Sequence, residues 1–203
     1  MHLSTVHAQG ELRGFAMSLF HWNSAAVDVR NHASPAEIVA CFQDQNNVLS
    51  RLAFLISGDQ AMAEQAVVQA RETTLQGNSP FRDWLLEWAK AATIARAISQ
   101  RANAIHICEA VYKNRRCTHV EHLWQVNAEE RAASLDLILG TDAQKLIAEL
   151  DALCRAILVL RVAVRSSIQD CVFRLNVCRT SVLAANCRAM AWLHDCHVKP
   201  LIP

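Results

Sequence analysis

The 203-residue chain has only five glycines, four prolines and one tyrosine. So few turn formers, in a chain that is 52% hydrophobic, exclude a loop-rich or disordered protein and suit a packed helical one. Strand-like alternation, internal repeats and low-complexity tracts are missing as well. The strongest apolar run, Ala156 to Val164, is interrupted by Arg161 and is too short to span a bilayer, so no membrane segment is expected. The short apolar run at 14–20 has no basic cluster before it and no clear cleavage site. A cytoplasmic location is therefore expected. The eight cysteines include no Cys-x-x-Cys pair, which predicts buried reduced thiols rather than disulfides.

Catalytic signatures are equally scarce. The chain has no glycine-rich phosphate loop, no Gly-x-Ser-x-Gly elbow, no His-Glu-x-x-His helix and no carboxylate pair that spacing would justify as general acid and base. Cys117, His119 and His122 are metal-capable, as are Cys187, His194, Cys196 and His197, but neither set has the spacing of a structural zinc site. No enzyme activity, cofactor or metal is expected. A formal charge of +1 gives no general attraction to polyanions, so any nucleic-acid contact has to come from a local patch.

What the chain does have is helical periodicity in two blocks. Residues 1–33 read as a weakly patterned extension. Order begins at Ser34-Pro35-Ala36-Glu37, an N-cap, a proline at the first helical position and a capping glutamate. Ile38, Phe42, Leu49, Leu52 and Ile56 then form one helical face ending at Ser57-Gly58. Asp59 caps a second helix with Ala63, Ala66, Val67 and Ala70 inward. Ser79-Pro80 opens a third, with Trp84, Trp88, Ala91, Ala95 and Ile98 on one stripe widened by Phe81 and Leu85. Residues 34–101 are thus predicted to form a small three-helix bundle. Residues 102–141 read as a polar linker with a helix after Asn127, and helical order restarts at Thr141 and Gln144.

The second block, 142–197, carries the stripe Leu146, Leu150, Leu153, Ile157 and Leu160. Ser167 and Asp170 then make a capping box, and Asn176 stands where two short helices must turn sharply through a left-handed residue. That spacing predicts a helix-turn-helix whose second helix begins near Cys178 to Ser181 and can enter a major groove. Residues 151–193 hold six arginines, at 155, 161, 165, 174, 179 and 188, against Asp151 and Asp170. Such a local basic excess favours phosphate contacts.

The ordered set of segments resembles the two domains of bacterial RNA polymerase sigma factors of the extracytoplasmic-function type, in the sigma-70 family. Leu49 through Asp59, followed by Ala63-Glu64-Gln65-Ala66-Val67-Val68-Gln69, is similar to the region-two signature, and Phe81-Arg82-Asp83-Trp84-Leu85 to the start of the promoter-melting helix. The helix pair through Leu175, Val182, Ala189 and Leu193 is similar to region four. The resemblance implies an all-α, two-domain fold whose partners are core RNA polymerase and promoter DNA, with an anti-sigma factor as a further conceivable partner. It implies that Glu64, Gln65 and Gln69 meet the polymerase, and that Arg82, Trp84, Trp88, Lys90 and Arg96 hold the separated strand by stacking and charge. Arg179, Thr180, Ser181 and Arg188 would face duplex DNA.

Departures from the family pattern bear on activity more than on fold. Gln65 and Ala70 stand where acidic residues are usual, the chain between Gln69 and Phe81 is short, Ala91 replaces an asparagine, and Val172 replaces a small alanine at the helix crossing. Two other readings stay open: a divergent sigma-like interaction module without promoter activity, and a helix-turn-helix DNA-binding regulator with an unrelated N-terminal domain.

Overall fold

The computed structural model describes residues 31–113, 138–140 and 143–198. The described residues are helical, with no strand among them; one isolated antiparallel bridge pairs His32 with Phe81. The helices are α1 (Pro35–Asp44), α2 (Asn46–Ser57), α3 (Gln60–Gln76), α4 (Leu85–Gln100), α5 (Ala102–Tyr112), α6 (Ala143–Glu149), α7 (Ala152–Ala163), α8 (Ile168–Leu175) and α9 (Arg179–Val198). The described residues from His32 onward belong to one compact unit.

Local signals place most helix ends. At α1 the Ser34 hydroxyl accepts the Glu37 amide at 3.3 Å while the Glu37 carboxylate accepts the Ser34 amide at 2.8 Å, the reciprocal pairing that the Ser-Pro-Ala-Glu sequence predicts. Asp59 caps α3 through the Met62 amide at 2.8 Å. Gly58 ends α2 in the left-handed region, with φ 70°, and a Cβ there would stand 3.4 Å from the Arg155 guanidinium. Glycine meets both demands at once.

Three helices differ from the periodicity reading. The face from Ile38 to Ile56 is shared by two helices, because the polar run Gln43–Asn47 contains a break at Gln45. The third helix starts at Leu85, after a 3-10 turn at Arg82–Trp84, rather than at Pro80. The stripe from Leu146 to Leu160 is likewise split, since Asp151 stops continuation of α6 and caps α7 by accepting the Cys154 amide at 3.0 Å. All five stripe residues are nevertheless buried.

The largest correction concerns the linker and the two domains. Residues 102–112 of the expected linker form α5, whose Ile105 and Tyr112 are buried. Segments 34–101 and 142–197 do not enclose separate interiors: one buried cluster runs from Leu52, Ala63 and Ile94 through Ile105 and Tyr112 to Leu153, Val182 and Leu193. The physical reason is α7. Every residue of it except Arg161 is buried, and a helix that is apolar on all sides has to be surrounded. It packs against α2, α4, α5, α6, α8 and α9. A smaller cluster under α1 joins Ile38, Phe42, Leu49, Val67, Ala70, Leu85 and Ala89, and Ala33 docks there with its amide on the Pro80 carbonyl at 2.9 Å. His32 and Ala33 are therefore part of the packed unit, whereas residues 1–30 of the expected extension, the helix after Asn127 and Thr141 lie outside the described residues.

Cys41, Cys108, Cys154, Cys171 and Cys178 are free thiols, and Cys187 is disulfide-bonded, contrary to the expectation of thiols throughout. Among the described residues no helix is long and apolar enough to cross a membrane.

Candidate nucleic-acid and partner interface

The two-helix unit α8–α9 is built by short-range bonds. Ser167 and Asp170 cap α8 reciprocally, at 2.8 Å and 3.0 Å, and Cys171 and Leu175 bury its inner face. Asn176 closes the helix in the left-handed region (φ 51°, ψ 48°), its amide bonded to the Val172 carbonyl. Three residues later α9 begins at Arg179, and its 20 residues span roughly 30 Å. Val182, Ala185, Ala189 and Leu193 hold it to the core.

At the front of α9, Arg179 and Thr180 are exposed, Arg179 donating to Gln169 Oε1 at 3.3 Å. Ser181 is not exposed as expected: it is fully buried, and its hydroxyl donates to the Glu109 carbonyl at 3.3 Å. The Glu109 carboxylate also accepts the Cys178 amide at 2.6 Å, a bond that holds its pKa below the ordinary value of 4.5. The exposed Cys178 thiol is 3.1 Å from the Ser181 hydroxyl and 3.2 Å from that of Thr180, and these bonds lower its pKa.

Arg188 lies two turns further along and, though exposed, bonds to the protein's own groups. It donates to the Tyr112 hydroxyl at 3.2 Å and the Glu149 carbonyl at 3.1 Å, and stands 3.7 Å from Asp151 Oδ2. Tyr112 in turn donates to Asp151 at 2.5 Å and lies 3.1 Å from Cys154 Sγ. Burial pushes the Tyr112 phenol upward and the Cys154 thiol up to about 12. For Asp151 burial opposes ionisation most strongly, yet the bonds from Tyr112 and Cys154 and the Arg188 charge leave its pKa lowered. Trp192 completes the cluster through Glu149 Oε2 at 2.5 Å. Glu109, Tyr112, Asp151 and Glu149 were not singled out by sequence; the one available signal was the i, i+7 spacing of Ile105 and Tyr112.

The strand-holding set is spread along α4 and the turn before it. Arg82 forms an ion pair with Glu37 at 2.7 Å, Lys90 with Glu87 at 2.8 Å, and Arg96 donates to Thr73 Oγ1 at 2.5 Å. Trp88 is half-buried and donates to Thr74 Oγ1 at 3.3 Å, whereas Trp84 is 49% exposed. The face α4 buries is Leu85, Ala89, Thr93, Ile94, Ala97 and Ile98, one position round the helix from the stripe that begins at Trp84 and Trp88.

On α3, Glu64 and Gln65 are exposed and Gln69 is half-buried. Glu64 accepts from Gln60 at 2.7 Å and lines a groove of about 440 Å³ with Phe42, Gln43, Asn46, Val67, Val68 and Arg71. Gln65 and Gln69 follow one ridge of the helix and Glu64 with Val68 the next.

Of the metal-capable sets, Cys117, His119 and His122 lie outside the described residues, as do the side chains of Cys196 and His197. No group that could hold a metal occurs among the described residues. No family model matches the chain, no curated protein matches it, and no solved structure matches it.

Proposed function

We propose that this chain is a divergent sigma-factor-like protein that binds core RNA polymerase through the α3 surface and promoter DNA through the front of α9, acting in the cytoplasm without an enzymatic step. The observation that carries the reading is the α8–Asn176–α9 unit. Its left-handed turn angles a long helix away from a short one and leaves Arg179 and Thr180 exposed at the leading end. A helix presented in that way can place its first turn against base edges, with its amides toward phosphate. The exposed Glu64 and Gln65 beside an apolar-floored groove support a docking role for α3.

A second reading, an interaction module without promoter activity, is favoured by one specific observation. Arg82, Lys90, Arg96 and Arg188 all bond to the protein's own groups, and Ser181 is buried. Pull-down with core polymerase followed by run-off transcription from promoters that the complex selects separates these readings. Binding with specific initiation supports the first, and binding without initiation the second. Duplex binding with no polymerase contact would support a plain helix-turn-helix regulator. On the first reading, Arg179→Ala lowers duplex affinity and reduces the salt slope by about 1; an unchanged slope counts against the assigned surface.

A further inference from the structure

We propose that α5 is a built-in brake on α9: it occupies, with the protein's own carboxylate and hydroxyl, the groups that α9 would offer to a duplex. The inference rests on the DNA-binding reading above and deepens it by assigning how that surface is regulated.

Two contacts act in the last turn of α5. Near its C-terminus, Glu109 accepts the Cys178 amide through its carboxylate at 2.6 Å and the Ser181 hydroxyl through its carbonyl at 3.3 Å. The first amides of a helix carry partial positive charge and point outward, so they attract a phosphate; here a carboxylate of the same sign already fills that position. Three residues on, the Tyr112 hydroxyl receives Arg188, the other cation of α9 assigned to DNA. A duplex phosphate and the Glu109 carboxylate compete for the Cys178 amide, and both cannot bind it at once.

The brake is held by modest forces. Ile105 and Tyr112 anchor α5 to the core, but Ile107 and Val111 on its outer side are 73% and 54% exposed. Freeing the Cys178 amide needs only that the Glu109 side chain, 23% exposed, turn away from it, while α5 stays in the packing around α7. Duplex affinity is then the intrinsic affinity multiplied by the fraction of molecules in which Glu109 has released the amide, since apparent affinity scales with the population of the competent state.

The test uses the full chain and a fluorescent mixed-sequence duplex, with dissociation constants read by anisotropy across a salt series. Amide hydrogen exchange at Cys178, Arg179 and Thr180 is read on the same samples. Glu109→Ala and the milder Glu109→Gln are compared with wild type, and Ile38→Val, a change in the separate cluster under α1, controls for general loss of stability. The brake predicts that Glu109→Ala tightens duplex binding by about tenfold or more, that Glu109→Gln does so less, that the Cys178 amide loses protection, and that Ile38→Val leaves affinity unchanged. Equal affinities for wild type and both Glu109 variants, with the amides unprotected in the variants, would overturn the brake and leave the DNA reading standing. Absence of duplex binding by every form would overturn the DNA reading and the brake with it.

Discussion

Arg155 and Ile56 are 99 positions apart, yet the guanidinium of one donates to the backbone carbonyl of the other at 3.4 Å. The same guanidinium donates to the Leu150 carbonyl at 2.6 Å and the Ile147 carbonyl at 3.3 Å. One buried cation thus serves the C-terminal ends of α2 and α6, where unpaired carbonyls concentrate negative charge. It stands beneath Gly58, whose missing side chain leaves room for it.

Arg155 accordingly contributes to folding rather than to any DNA surface. It is 5% exposed, and burial, with Arg101 nearby, lowers its pKa. Arg155→Met leaves carbonyls buried without a donor and is expected to cost about 2–4 kcal/mol in chemical denaturation. A loss below half a kilocalorie, within the range of a surface substitution, would show that these bonds contribute little.

The thiols differ in reactivity. Cys178 is exposed with a lowered pKa, while burial pushes Cys154 and Cys171 up to about 12 each. Since the thiolate is the nucleophile, iodoacetamide at neutral pH is expected to label Cys178 well before Cys154 or Cys171. Peptide mass spectrometry over a time course reads the order, and labelling of either buried thiol ahead of Cys178 would contradict the packing described.

Acid should weaken the α5–α9 contact. The Glu109 pKa is lowered from 4.5, first by the Cys178 amide, and His106 faces the same carboxylate at 3.5 Å. A depressed carboxylate pKa stabilises the fold above the unfolded-state value, and that stability is lost as pH falls through the folded-state pKa. The difference in melting temperature between wild type and Glu109→Ala is therefore expected to hold from neutral pH to about 5.5 and to shrink in more acidic solution. A difference that grew on acidification would reverse the sign and refute the assignment.

Asn186 is fully buried on α9, and neither atom of its amide has a hydrogen-bond partner among the described residues. A buried amide without partners costs about 1–3 kcal/mol. Asn186→Leu, close in volume and apolar, is expected to raise the denaturation midpoint. A lowered midpoint would mean that the amide is needed where it stands.

Some of this architecture was legible residue by residue. Ser34 with Glu37, Asp59, Ser167 with Asp170, and Asn176 all act within four positions of themselves, so their types alone announced helix ends and the sharp turn. Ala63, Ala66, Val67 and Ala70 were correctly placed inward because one helical face held them all. The side of α4 that packs was read in part: Leu85 and Ile98 are buried as expected, but the face runs through Ala89 and Thr93 rather than Trp88. Trp88, and Trp84 in the turn before the helix, outweigh Ala89 and Thr93 in hydrophobicity, but the close approach of α2 and α3 selects the smaller residues. Helix α5 escaped notice because Ile107 and Val111 point outward while Ile105 and Tyr112 point inward, which blurs any stripe.

Helix content, the cap residues and the left-handed turn at Asn176 follow from interactions that span a single turn, and the amino-acid order was sufficient for them. That α7 is ringed on every side, that Arg155 reaches back to Ile56, and that Glu109 stands at the head of α9 are products of tertiary packing. Each joins residues about 40 to 100 positions apart, and periodicity says which faces are apolar without saying which faces meet.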